Sequence, residues 1–320
     1  MSNRRLHGTG GQALIIVLLA MVVVLTIVLS VVSRSVTDIS VTTFGEEAQR
    51  AFDAAEAGIE EVLLRGYAPG GDVIIGDATY NVASTNPIPD PDEFVYPSEL
   101  FSGESATFWF VSHDSSGNLI CGGEPCLRAN SINKICWGEE GTDPDTDTTP
   151  AIELAVFYDL NQTGVTTGDF SGLRIAKITF DPNTSRTSDN KFNSVTGTCS
   201  GGIAGKNFAF STGNIQLGSS GLGIPPGGSC LELDGCLIIA KVRIFYNYDV
   251  LLNKDIPHPI AIEVNSTGPP TSRLPAQGTQ IDSTGVAGAS TRRINVFQGF
   301  TELPFVFDAA VFGLTDLGKP

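Results

Sequence analysis

Residues 13–32 read ALIIVLLAMVVVLTIVLSVV, twenty consecutive positions without a charge, a proline or a glycine. At about 1.5 Å per residue, a helix over them spans the roughly 30 Å hydrocarbon core of a bilayer. Thr26 and Ser30 are the polar side chains in the run, and each hydroxyl can bond to a carbonyl one turn back. The core helix of a soluble domain has no need to be apolar for so long, so the stretch is read as entering a membrane. A removable secretory signal has an apolar core of only about 7–15 residues, ending in a small-residue cleavage site. Ser33-Arg34-Ser35 offers no such site.

The helical pattern continues beyond the run. Val36, Ile39, Phe44, Ala48, Ala51, Phe52, Ala55, Ile59, Val62 and Leu63 recur in steps that fit a helix and no strand. Glu46 with Arg50, and Glu61 with Arg65, sit four apart with the acid first, the better orientation for a helix pair. Gly66, Pro69, Gly70 and Gly71 end the pattern. From Gln12 to Arg65 an unbroken helix would measure about 80 Å. Its first half is apolar on every side and its second half on one. The expectation is that the second half packs on a folded head while the first sits in lipid or against copies of itself.

Composition narrows the class of the remainder. Thirty-six glycines and a charged fraction of 17% favour a loop- and strand-rich body over a helical bundle. A net charge of −16 argues against nucleic-acid binding, which needs clustered Lys and Arg. No lysine precedes Lys134.

The segment Gly11-Gln12-Ala13-Leu14-Ile15-Ile16-Val17, with Arg50-Ala51-Phe52-Asp53-Ala54-Ala55-Glu56-Ala57-Gly58-Ile59-Glu60 downstream, resembles the N-terminal region of type IV pilins and type II secretion pseudopilins. It is most similar to that of PilX-type minor pilins. The AFxAAEAGIE stretch is the more specific half, since any membrane helix supplies the other. The likeness covers about 55 residues and nothing in the head adds to it. It implies a basic leader over residues 1–11, with Arg4 and Arg5 held in the cytoplasm. A prepilin peptidase would cleave between Gly11 and Gln12, with Gly10 and Gly8 as alternative positions. It implies a long helix over 12–66, with its membrane part at 13–32, in which Ile16, Phe52, Ala55, Glu56 and Gly58 serve membrane insertion and assembly. The partners implied are the lipid bilayer, other pilin-like subunits and the peptidase. The location implied is the inner or cytoplasmic membrane, crossed once, with the head outside the cytoplasm or in a surface filament. Most members carry a glutamate at the fifth mature position, facing a neighbour's amino terminus; here that position is Ile16. The departure points to a minor or initiating subunit in assembly or adhesion, not to bulk filament protein.

The head, 67–320, is read as mostly antiparallel sheet, making the chain α+β. Strands are expected over 79–83, 107–112, 152–158, 174–180, 207–211, 237–248, 260–265, 292–297 and 305–312, where Val, Ile, Phe and Tyr concentrate. One face should cover the long helix or a second sheet. Residues 86–100, 139–150, 213–228 and 267–289 are read as long connections, and no domain boundary is evident within the head.

Six cysteines, Cys121, Cys126, Cys136, Cys199, Cys230 and Cys236, all follow the apolar run. An even number in an exported region suits disulfides. Local bridges within Cys121/Cys126 and Cys230/Cys236 would leave Cys136 for Cys199, although six cysteines allow 15 pairings. No histidines stand near them in zinc-site spacing. Asp159, Asn161 and Thr163, with Gly164 following, match the opening of a calcium loop, and Asp169 stands beside the twelfth position, Phe170. Asp143, Asp145 and Asp147 place a second acidic triplet at alternate positions. The competing reading of both is an Asx turn or acidic surface loop. No other cofactor is indicated. Neither a nucleophile elbow, a zinc-protease helix, a P-loop nor a dinucleotide fingerprint occurs, so an enzyme is not expected. A membrane-anchored surface binding protein that does not polymerise is the alternative function.

Overall fold

The computed structural model describes residues 10–89, 92–195, 197–225 and 230–301. Residues 1–9 of the expected leader, the expected last strand over 305–312, and the side chains of Gly11, Gln12 and Cys230 lie outside that description.

The chain forms a long N-terminal helix followed by a mostly antiparallel β-rich region, an α+β arrangement. Among the described residues it groups into two compact units: one holds the long helix, the chain on to Ser84, and Ile281–Val296, and the other holds the residues from Thr85 to Gln280 and from Phe297 to Thr301. The division falls inside the stretch read from sequence as a single head, because a late pair of strands joins the helix.

In the first unit one helix runs from Gly10 to Arg65 without a break, 56 residues and about 84 Å. It ends at Gly66, whose φ of 75° is the left-handed conformation that glycine adopts at no steric cost. The Gly66 amide still bonds the Val62 carbonyl at 2.8 Å. Beside the helix lies a four-stranded sheet in the order Val73–Ile75, Ala78–Thr85, Gly278–Ala287, Ser290–Gly299. Gly278–Ala287 corrects the loop expected over 267–289. Its sequence, GTQIDSTGVA, is interrupted by glycine and by polar residues, yet Ile281 and then the small Ser283, Gly285 and Ala287 are buried at alternate positions. The residues are small because a helix backbone lies against them.

In the second unit two sheets enclose the main core. The first has the order Asn193–Ser194, Leu173–Asp181, Ala151–Asp159, Leu237–Phe245, Ser105–Trp109. The second has the order Phe210–Ser211, Ala129–Trp137, Ile260–Ser266, Glu93–Val95, with Ile215–Gln216 also on Ala129–Trp137. Their pairings are antiparallel, apart from the two-residue parallel contact of Asn193–Ser194 with Phe180–Asp181. Phe108, Leu154, Val242 and Ile244 from one sheet join Ile132, Ile135, Trp137 and Ile262 from the other in one buried cluster. The strand Ala129–Trp137 was not expected, since Asn130, Ser131, Asn133 and Lys134 interrupt its apolar residues. Glu93–Val95 likewise forms a strand inside the proline-rich connection over 86–100.

Two disulfides follow the expected pattern, Cys121–Cys126 and Cys136–Cys199. Cys236 is also disulfide-bonded. The second bridge closes 63 residues of chain, which stabilises mainly by restricting the unfolded ensemble.

Candidate functional site

The long helix is where the sequence placed the function, and its two halves differ. From Leu14 to Val32 every large apolar side chain is 47–68% exposed. None of this apolar part is buried. Among the described residues this is one helix long and apolar enough to cross a membrane. Thr26 hides its hydroxyl by donating to the Val23 carbonyl at 2.8 Å. Ile16 is exposed with its neighbours and brings no charge to the apolar surface.

In the second half Ala51, Ala54, Ala55, Gly58, Ile59 and Val62 are buried. Ala51, Ala54, Ile59 and Val62 pack with Ala78, Tyr80, Val82, Ile281 and Ala287 of the sheet. Burying Ile59 and Val62 contributes about 1.5–3 kcal/mol each. The alanines and Gly58 contribute closeness. A Cβ on Gly58 would lie 2.4 Å from Ser283 Oγ and 2.8 Å from the Tyr80 ring. On the sheet side, a Cβ on Gly285 would lie 2.0 Å from the Ala51 carbonyl oxygen. Helix and strand are in backbone contact there, and only glycine fits.

Polar contacts fix the register of this docking. Glu47 accepts the Ala289 amide at 3.0 Å, reaching the turn between the last two strands. The Tyr80 hydroxyl donates to Glu61, and that bond, with burial and the Glu61 charge, raises the phenol above its ordinary range. Glu61 also pairs with Arg65 at 3.0 Å, and Glu46 with Arg50 at 3.7 Å, as their spacing predicted.

The residues of the AFxAAEAGIE segment therefore divide by face. Ala55 and Gly58 bind the sheet, whereas Phe52 and Glu56 are exposed. Phe52 (44%), Leu63 (47%) and Leu64 (87%) leave apolar side chains outside the seat. The stripe read from sequence merged these two faces. Ser283 and Gly285, which complete the seat, were missed, because a strand of small residues was read as a loop. Alternate burial of small residues was the signal available.

Asp159, Asn161, Thr163 and Asp169 share one loop in the second unit. Asp159 is fully buried, with its carboxylate accepting the Asn161 amide at 3.1 Å and the Gly164 amide at 2.9 Å. Thr163 Oγ1 donates to the Asp169 carbonyl at 2.8 Å. This is Asx-turn geometry, in which the carboxylate already serves backbone amides. The acidic stretch 143–149 is held by Arg186, which donates to the carbonyls of Asp147 and Thr149 and to the buried Asp181. Among the described residues no group of three or more His, Cys, Asp or Glu is placed to hold a metal ion.

His113 lies between aromatic rings, 4.4 Å from Trp109 and 4.0 Å from Phe300, and burial pushes its pKa down to about 4. His258 is buried and accepts the Glu139 amide at 3.2 Å; burial pushes it down to about 4 as well. An aromatic cleft beside Trp109, lined by Phe94, Tyr96, Phe297 and Phe300, encloses about 110 Å³. Small-molecule sites occupy about 300–1,000 Å³, so the cleft is too small for one.

Compared with known proteins, the chain matches no family model, no curated protein and no solved structure.

Proposed function

We propose that this chain is a membrane-anchored, non-catalytic structural subunit of a type IV pilus or a related secretion filament, in a minor or initiating position. What supports this role is the contrast within one continuous helix. Some 20 residues present apolar surface on all sides, while the stretch Ala51–Val62 further along is seated on a sheet by glycine and alanine. A rigid rod of this kind can exchange lipid for the helices of other subunits without refolding its head. Ile16 supports the minor position. A carboxylate there would add a charge to the apolar run, at a cost below the roughly 2.5–3.5 kcal/mol of the bilayer centre because Ile16 lies near the end of the span, and would call for a neighbour's positive charge to offset it. An isoleucine makes no such demand.

The function assigned to Gly11 and Gln12 is processing. N-terminal sequencing of the exported protein should give a mature start at Gln12, and Gly11→Leu should trap the precursor. An intact Met1 in cells with an active prepilin peptidase would overturn the proposal. A mature Gln12 start together with absence from sheared filaments would move the assignment to an anchored binding protein that does not polymerise.

A further inference from the structure

The second unit carries an apolar projection that the filament reading does not use. Tyr248–Asp249 and Lys254–Asp255 pair as a two-residue hairpin. Its tip, Val250-Leu251-Leu252, is 79%, 96% and 73% exposed. Scattered single exposed aliphatics are ordinary on a protein surface, but three in succession at the end of a projection are not.

This tip is held in place at three levels. At the base, buried Asn247 donates to the carbonyls of Leu100 at 3.1 Å and Ile256 at 2.8 Å. In the middle, the Tyr248 hydroxyl donates to Asn253 Oδ1 at 2.6 Å. At the tip, Asp249 Oδ1 accepts the amides of Leu251 at 2.9 Å and Leu252 at 3.0 Å. The aliphatic side chains are thus displayed on a braced turn, and Asp249 meets the two amides that would otherwise demand a polar partner.

We propose that the Val250–Leu252 tip inserts into the surface of a lipid bilayer. A protein partner that adds to a segment by main-chain hydrogen bonds needs free amides, and the amides of Leu251 and Leu252 are already taken by Asp249. Hydrocarbon asks for no directional partner. Behind the aliphatic tip stand Tyr246 and Tyr248, each 38% exposed, amphipathic rings of the kind that favour the headgroup level. The same chain carries a helix apolar enough to cross a membrane, so lipid is within its working environment. Three side chains give weak and reversible contact by themselves, as a single acyl chain does. The net charge of −16 predicts a preference for zwitterionic over anionic lipid.

The test uses the full chain in phosphatidylcholine nanodiscs. A Leu251→Cys variant carries an environment-sensitive dye, and labelled Ser116→Cys, on an exposed polar loop, serves as the control. With phosphatidylcholine vesicles added, emission from position 251 should shift to the blue. Lipids brominated on their acyl chains, in disc or vesicle, should quench it, while position 116 stays water-like. Leu251→Asp should lower co-flotation with vesicles by at least about tenfold at unchanged Tm. Water-like, unquenched emission at 251 in both disc and vesicle overturns the proposal. So does a blue shift that follows protein concentration and not lipid, since it marks contact between copies. Retention of the chain in discs reports the helix anchor, so failure of the anchor and failure of the hairpin are read separately.

Discussion

The two halves of the long helix share one backbone and have opposite surroundings. Leu14–Val32 is bulky, branched and exposed, and Ala51–Val62 is small, mixed and half-buried. Bulk suits a non-directional apolar solvent, where surface area is what counts. Smallness suits a fixed partner, where the distance of approach is what counts. The difference teaches that apolar content alone does not say how a helix is used; side-chain volume does.

The strongest way to break the contrast is to charge the first half. Leu19→Arg combined with Leu25→Arg should oppose insertion by about 5–7 kcal/mol and abolish resistance to carbonate extraction. The thermal transition of the folded units should not move. Next in size is the seat of the second half. Gly285→Ala sets a methyl against the backbone of Ala51 and Ala55 and should cost about 3 kcal/mol, read by urea denaturation. Gly58→Ala meets a side chain, Ser283, instead of backbone. It should therefore cost less and be relieved in part by Ser283→Ala, with the Tyr80 ring still close, giving a double-mutant coupling.

The two units should also part with pH. His113 and His258, both in the second unit, are held neutral by burial with pKa values pushed down to about 4. Between about pH 6.5 and 4 the unfolded chain binds protons that the folded one refuses. Stability is therefore full above 6.5 and falls as pH drops, by at most about 3 kcal/mol per histidine. Both tryptophans, Trp109 and Trp137, lie in this unit, so their emission monitors its loss. The first unit moves the other way. Tyr80 is raised above 10 by its bond to Glu61, so its contribution is present below pH 10 and lost as pH rises further. Asp282, lowered by Asn295 and Arg293, adds acid sensitivity to that unit only below about 3.8.

The smallest expected effect compares two glycines in one helix. A Cβ at Gly45 would meet nothing within 4 Å, so Gly45→Ala should stabilise by about 1 kcal/mol through helix propensity. At Gly58 the same change collides. Opposite signs of ΔTm would locate the start of the docked half between them.

Legibility followed the length scale of each signal. The helix was legible because its pattern is local: a charge-free run, then 3.6-residue periodicity, then glycine and proline. Eight of the nine expected strands coincide with described ones in whole or part, and the ninth, over 305–312, lies outside the described residues; Ala151–Asp159 and Leu173–Asp181 are examples whose β-branched runs stand out from their turns. Among the strands that were missed, Gly278–Ala287 and Ala129–Trp137 owe their form to what lies across from them. The Asp159 loop matched a ligand pattern, but spacing along the chain does not say which way oxygens point. Here they point at backbone amides.

By itself the sequence determined that a helix of membrane-spanning length leads the chain and that sheet follows it. Hydrophobic length and periodicity are properties of consecutive residues, and they act before anything distant has folded. Only the tertiary structure decided which face of the helix is docked, that a late strand joins it, and that Gly58 and Gly285 form its seat. Those outcomes depend on how closely two backbones more than 200 residues apart can approach. No residue carries that distance until the partner is in place.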